Sequence, residues 1–107
     1  DQSKRPLMGL AAFQNADVVI VTDDNPRSED PSKIRQMVLQ GIDRDAVHEF
    51  GDRAEAILRA VDMLDPGDAL LICGKGHETG QVIGDDILPF DDVEQASISV
   101  EALDGVL

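Results

Sequence analysis

The 107-residue sequence has few of the residues with which proteins usually hold nucleic acids or cross membranes. It contains no Trp or Tyr and only three Phe, so aromatic surfaces for stacking bases or sugars are scarce. Its 9 Lys and Arg are outnumbered by 22 Asp and Glu, and the formal net charge of −13 argues against a nucleic-acid binder, which needs a basic face. No apolar run approaches the 18 residues of a membrane-spanning helix. We therefore expect neither a nucleic-acid partner nor a membrane.

Cysteine and histidine are equally rare. The single cysteine, Cys73, permits no internal disulfide. One cysteine and two histidines are too few ligands for a Cys/His zinc cluster. No metal site is predicted, and a reducing, cytoplasmic compartment is the default. Cys73 closes an apolar run, so we interpret it as a core residue.

What the sequence does have is enough apolar content, 42%, to form one compact domain over residues 1–107. The spacing of apolar residues and the positions of Gly, Pro and Asp predict helices over residues 6–14, 31–41 and 52–64. They also predict a final helix capped by Asp91 or Asp92. Short apolar runs predict strands at 18–21, 46–50 and 69–73, with a hairpin of 81–83 and 87–90. This alternation indicates an α/β domain with a mostly parallel sheet and an antiparallel C-terminal edge hairpin.

The same spacing predicts which helix faces are buried. In the first helix the shared apolar face consists of Leu7, Leu10 and Ala11. In the helix over 52–64, Asp52 is the expected N-cap, with Glu55 as its capping-box partner. The buried stripe expected there is Ala54, Ile57, Leu58, Val61 and Leu64.

The loop that follows the first strand, residues 22–31, reads TDDNPRSEDP. Pro26 keeps the residue before it out of helical angles, which presents the preceding polar side chains in extended backbone. Arg27 offers a planar fork of donors that matches a carboxylate, while the neighbouring acids can hold an ammonium group. Together these groups describe a site for a zwitterion such as an amino acid. The alternative is an acidic surface turn in which Arg27 pairs with Asp24 or Glu29.

A second unusual loop, residues 74–80, follows the run at 69–73 and reads GKGHETG. Its first two glycines allow backbone N–H groups to approach a ligand closely, and Lys75, His77 and Glu78 add charge. The spacing is not that of a Walker A loop. The alternative is a plain turn that requires glycine. Because ligands of open α/β sheets bind beyond the carboxyl ends of the strands, both loops are candidates for one site.

Taken together, these segments resemble the C-terminal domain of the Mur ligase family. The resemblance covers essentially the whole chain and rests on KRPLMG at 4–9, VVIVTDDNPRSEDP at 18–31, DRAEAI at 52–57 and GKGHE at 74–78, followed by Gln81. DNPR and GKGHE are each short, but in this order and at this separation they are highly specific. The chain would then be the third domain of a three-domain enzyme, with a Rossmann-like three-layer fold.

The resemblance implies a cytoplasmic, ATP-dependent ligase of peptidoglycan synthesis. Such an enzyme joins meso-diaminopimelate to UDP-MurNAc-L-Ala-D-Glu through an acyl phosphate, with ATP and Mg²⁺ bound mainly by the central domain. In the DNPR motif, Asp24, Asn25 and Arg27 would contact the amino acid and Pro26 would fix the turn. Arg27 would pair with the distal carboxylate, which lysine lacks.

The resemblance also assigns residues outside the DNPR motif. Gly74 would give a backbone contact to the amino acid and Glu78 would bind its distal ammonium. Lys4 and Arg5 would lie near the nucleotide site. No residue of this chain is expected to be catalytic by itself, and a family arginine that grips the amino acid would come just before Asp1. We therefore expect the isolated 107 residues to be inactive and to bind amino acid weakly at best.

Two other functions stay open at this point. One is a related Mur-type amide ligase that adds L-lysine, and the residue that discriminates it is Arg27. The other is a non-catalytic acidic module that binds small cationic or amphoteric molecules, which would not depend on an upstream ATP-binding domain.

Overall fold

The computed structural model describes residues 2–24, 28–74, 80–83 and 85–104. They form a mixed α/β domain of four helices and four short strands. In chain order these are α1 (Arg5–Asn15), β1 (Ile20–Val21), α2 (Pro31–Val38), β2 (His48–Glu49), α3 (Arg53–Asp62), β3 (Gly80–Ile83), β4 (Asp86–Pro89) and α4 (Asp92–Leu103). Among the residues described, no helix has the length and apolar content needed to cross a bilayer.

Two short sheets carry the strand pairing. β1 and β2 are parallel, with Ile20 opposite His48, and the amide of Phe50 donates to the carbonyl of Val21 at 3.0 Å. β3 and β4 form the predicted antiparallel hairpin, with Gln81 opposite Leu88. The predicted parallel pairing and the hairpin are therefore both confirmed, although β1 and β2 are shorter than the apolar runs suggested.

The predicted single sheet is wrong in two respects for the residues described. The hairpin forms a sheet of its own instead of extending β1 and β2. Residues 69–73 are extended but belong to neither sheet; Leu71 is 84% exposed and Cys73 is exposed, so neither is a core residue. A strand needs a neighbour that accepts its ladder of hydrogen bonds, and apolar composition alone does not supply one.

Aspartates cap three of the helices. Asp52 Oδ1 accepts from the amide of Ala54 at 3.1 Å, and Asp91 Oδ1 accepts from the amide of Val93 at 2.9 Å, as the sequence predicted. Asp30 does the same for α2 and accepts both the amide and the hydroxyl of Ser32 at 3.0 Å. These two bonds hold the pKa of the Asp30 carboxyl below its usual range. The side chains thereby satisfy N–H groups that the helices leave unpaired.

The buried faces of α1 and α3 differ from those the spacing predicted. In α1 the only buried residue is Gly9, whereas Leu7 and Leu10 are exposed. In α3 the buried residues are Arg53, Ala56, Ile57 and Ala60, so only Ile57 of the predicted stripe is fully buried. Both faces include small residues, Gly9 in α1 and Ala56 and Ala60 in α3, because α1 packs on α2 and α3 on α4. The predicted capping-box partner, Glu55, instead accepts from Arg59 at 3.3 Å.

The core lies where β1 meets α2. Val19, Val21 and Leu39 form its buried cluster, and Val38 and Val47 pack against it. Leu39 directly follows α2, which ends at Val38, earlier than the predicted boundary near Gly41. The cluster fixes the end of β1 against α2, and the first candidate loop begins at that end.

Gly9→Ala tests the contact between α1 and α2. A Cβ at Gly9 would overlap the carbonyl oxygen of Val38, which is backbone and cannot rotate away. We expect a loss of about 2–3 kcal/mol in the free energy of unfolding, measured by urea unfolding of the 107-residue chain. Ala11→Val is the matched control, since Ala11 is exposed on the same helix, and should cost under ~1 kcal/mol. Equal losses for the two variants would contradict this packing.

Candidate functional site

The two candidate loops meet through Asp24 and Gly74. Gly74 has a φ of 109°, a backbone conformation that side-chain-bearing residues rarely adopt. A Cβ placed on Gly74 would lie 3.1 Å from Oδ2 of Asp24. Glycine is therefore required here both for the conformation and for the close approach of the Asp24 carboxylate. The structure brings together two residues that lie fifty positions apart in the sequence.

Three hydrogen bonds to backbone carbonyls hold the loops in place. Arg53, the first residue of α3, donates from Nη1 to the carbonyl of Asp23 and from Nη2 to the carbonyl of Cys73, both at 3.0 Å. Gln81 of β3 donates from Nε2 to the carbonyl of Asp24 at 2.8 Å. The loops are thus held at three carbonyls, two in the first loop and one directly before the second.

Arg35 of α2 supports the first loop from the other side. Its guanidinium binds Asp23 and donates from Nε to Glu49 Oε2 at 2.8 Å. Burial by itself lowers the pKa of Arg35, but the hydrogen bonds to Glu49 and Asp23 and their charges outweigh it and raise the pKa. Arg35 therefore stays charged and ties the end of β1 to the end of β2.

Arg5 binds the far part of the same loop. Its two terminal nitrogens each donate to an oxygen of Glu29 at 2.9 Å, and this bidentate hydrogen bond raises the pKa of Arg5. Lys4 is exposed at the end of a 3₁₀ turn, Gln2–Lys4. The predicted location of these two cations near a nucleotide stays a prediction. What the structure adds is a role for Arg5 within this domain, as the partner of Glu29.

The remaining predicted site residues lie outside the described part of the chain. These are Asn25, Pro26, Arg27 and Glu78. Asp24 directly precedes the first three, and Gly74 begins the loop that contains Glu78. The described residues therefore locate the start of both loops, and the two starts are in contact.

Sequence reasoning missed the residues that hold the loops. Arg53 is 3% exposed and Asp92 is 5% exposed, yet both types are usually surface residues. The sequence favours a helix cap as the role of Asp92 and marks Arg53 as part of the DRAEAI motif. The available signal was the motif itself, in which an arginine follows directly on the N-cap Asp52. Nothing local distinguishes that arginine from an exposed one.

The described geometry can bind a polar ligand. The Asp24 carboxylate lies beside Gly74, a residue with no side chain. Such an arrangement suits an amino acid, because a carboxylate holds an ammonium group and backbone groups hold polar atoms. Among the residues described, no group of three or more His, Cys, Asp or Glu side chains is placed to hold a metal ion.

Gly74→Ala tests the contact between the loops. We expect it to lower the free energy of unfolding by about 1 kcal/mol more than Gly67→Ala does. Gly67 has a similar φ, 93°, but nothing lies within 4 Å of its Cβ position, so its substitution measures conformational strain alone. Urea unfolding of both variants gives the difference. If the two losses are the same, Asp24 does not press on this position.

Comparisons with known proteins identify the family. A family model described as the Mur ligase, glutamate ligase domain matches residues 1–76. A curated relative from Bradyrhizobium diazoefficiens, named UDP-N-acetylmuramoyl-L-alanyl-D-glutamate--2,6-diaminopimelate ligase, is 53% identical over 100 residues, which are 94% of this chain and 20% of the relative. A relative of the same name from Caulobacter vibrioides is 48% identical over 106 residues, 99% of this chain and 21% of the relative.

A solved structure titled with the same ligase name superposes with a TM-score of 0.91 at 43% sequence identity. The match covers 97% of this chain and 22% of that one. The chain thus spans about one fifth of the length of the relatives it matches. With the family model matching well over half of its residues, the chain belongs to the Mur ligase family, through that family's glutamate ligase domain.

Proposed function

We propose that this chain is the amino-acid-binding domain of an ATP-dependent ligase that adds meso-diaminopimelate to UDP-MurNAc-L-Ala-D-Glu in peptidoglycan synthesis. The observation that carries the proposal is the contact between Asp24 and Gly74, which joins the loops of the DNPR and GKGHE motifs. The relatives that match nearly the whole chain are named for this reaction. The cytoplasmic location and the Rossmann-like three-layer arrangement implied by the resemblance belong to the same proposal.

The domain's part in the reaction is to hold the amino acid. Asp24 and Asn25 contact it, Pro26 fixes the turn, and Gly74 offers backbone polar groups. Glu78 pairs with the distal ammonium and Arg27 with the distal carboxylate. The amine that attacks the acyl phosphate is thereby presented in one orientation, which lowers the entropic part of the barrier. The resemblance assigns ATP and Mg²⁺ mainly to the central domain, where they would supply the phosphoryl group of the acyl phosphate.

The charge of the domain makes Arg27 essential to specificity. At neutral pH, meso-diaminopimelate has two ammonium and two carboxylate groups, whereas lysine carries a net positive charge. A domain with a formal net charge of −13 attracts lysine more strongly than it attracts diaminopimelate. Selection of the less favoured ligand therefore requires a local cation. An arginine left without its carboxylate partner in a partly desolvated site rejects lysine.

The proposal is tested with the full-length protein, ATP, Mg²⁺ and UDP-MurNAc-L-Ala-D-Glu. We expect phosphate release with meso-diaminopimelate and little with L-lysine. Release driven by lysine would contradict the specificity and support a lysine-adding ligase of the same family. Release with neither amino acid would contradict the ligase itself and favour a non-catalytic binding module. The isolated 107-residue chain should release no phosphate under the same conditions.

Arg27→Ala tests the source of the specificity. We expect the ratio of kcat/KM for diaminopimelate to that for lysine to fall by at least about 100-fold, because the distal carboxylate loses its partner. Arg59→Ala is the control, since Arg59 is a largely exposed arginine paired with Glu55 on α3, and its ratio should stay within twofold of wild type. An unchanged ratio for Arg27→Ala would show that Arg27 does not read the carboxylate.

A further inference from the structure

Arg53 is buried more deeply than an ordinary helix-starting arginine, and each of its three guanidinium nitrogens donates a hydrogen bond. Nε and Nη2 donate to the two carboxylate oxygens of Asp92 at 2.8 and 2.7 Å. Nη1 donates to the carbonyl of Asp23, and Nη2 donates also to the carbonyl of Cys73. The side chain is 3% exposed and that of Asp92 is 8% exposed. One rigid group therefore spans three separate parts of the chain.

The two carbonyls that Arg53 binds are those directly before Asp24 and Gly74. A guanidinium is planar and its five N–H groups point in fixed directions, so its bonds set the spacing of the groups that accept them. Through Arg53, the backbone before Asp24 is held at one distance from the backbone before Gly74. Those are the two residues whose contact forms the candidate site.

Asp92 has a different part in this arrangement. It neutralises the buried guanidinium and fixes its plane by a bidentate bond. Asp92 holds Nε and Nη2 of Arg53. Nη1 then donates to the carbonyl of Asp23, and Nη2 donates to the carbonyl of Cys73 as well as to Asp92. Asp92 therefore contributes mainly to stability and orientation, and of these two residues it is Arg53 that binds both loops.

We propose that Arg53 is a positioning residue that sets the separation of the two loops and thereby the affinity for the amino acid. What is bound rests on the proposed function, but the coupling of the loops does not. Arg53 does not itself contact the amino acid; it acts through the carbonyls of Asp23 and Cys73, which directly precede Asp24 and Gly74.

The test is Arg53→Lys in the full-length protein. Lysine keeps the charge next to Asp92, but its ammonium donates from a single atom and cannot span both carbonyls. We expect the KM for meso-diaminopimelate to rise by about tenfold or more, since misplaced binding groups are costly. The KM values for ATP and for UDP-MurNAc-L-Ala-D-Glu should stay within twofold of wild type. A purely structural role would lower the amount of active enzyme and leave all three KM values unchanged.

Two controls separate positioning from stability. Arg59→Lys, on the same helix, alters an arginine that pairs with Glu55 and lies over the Phe50 ring but touches neither loop bond of Arg53. It should leave the three KM values unchanged and lower the melting temperature less than Arg53→Lys does. Asp92→Asn keeps one oxygen acceptor but loses half of the bidentate bond that orients the guanidinium, while Arg53 itself still reaches both carbonyls. It should therefore lower the melting temperature and raise the KM for diaminopimelate less than Arg53→Lys does. If Asp92→Asn raises this KM as much as Arg53→Lys does, the positioning role is wrong. Should Arg53→Lys fail to fold, the apolar pair Arg53→Met with Asp92→Leu replaces it, with the same tenfold expectation.

Hydrogen–deuterium exchange tests the coupling of the two loops independently of the ligase assay. In Arg53→Lys, amide exchange should accelerate at residues 22–24 and 72–74 together, while the amides of the second half of α3 keep their wild-type rates. If wild type turns over no diaminopimelate but both segments respond, the proposed function is wrong and the coupling stands. If neither segment responds, or the change spreads evenly over the domain, the coupling is wrong.

Discussion

The buried guanidinium of Arg53 is the interaction on which the candidate site depends. A charge with so little access to water is tolerated only when it is paired and its hydrogen bonds are satisfied, and Asp92 and two carbonyls meet that need. The same bonds that make the burial tolerable hold the start of α4, the end of the first strand and the second loop together. Stability and site geometry thus come from one side chain, because the groups that satisfy the arginine are the groups that must be positioned.

The acidic character of the domain gives this arrangement its functional meaning. An excess of thirteen negative charges concentrates cations without discriminating among them. Discrimination between two amino acids that differ by one carboxylate has to come from a few fixed groups. Where the two loops begin at a fixed separation, an arginine on one loop and a glutamate on the other can bind the carboxylate and the ammonium at the distal end of the same ligand. Fixing the backbone ahead of both motifs therefore matters as much as the motifs.

Local features were predictable from the sequence and long-range burial was not. The caps Asp52 and Asp91 and the β3–β4 hairpin follow from chemistry within a few residues, and all three were predicted. The exposure of Leu71 and the burial of Gly9 and Arg53 depend on which distant segment packs alongside, which periodicity does not specify. Within the candidate site, the motifs point to Asp24 and Gly74. They do not point to the burial of Arg53, because an arginine directly after an N-cap is usually exposed to solvent.

The central claim is that the two loops form one amino-acid site. A crystal structure of the full-length protein with meso-diaminopimelate bound tests it most directly. The account predicts that the amino acid lies between the loops, with Arg27 on the distal carboxylate, Glu78 on the distal ammonium, and Arg53 still bonded to the carbonyls of Asp23 and Cys73. An amino acid bound elsewhere, with Arg27 paired to Asp24 or Glu29, would contradict it.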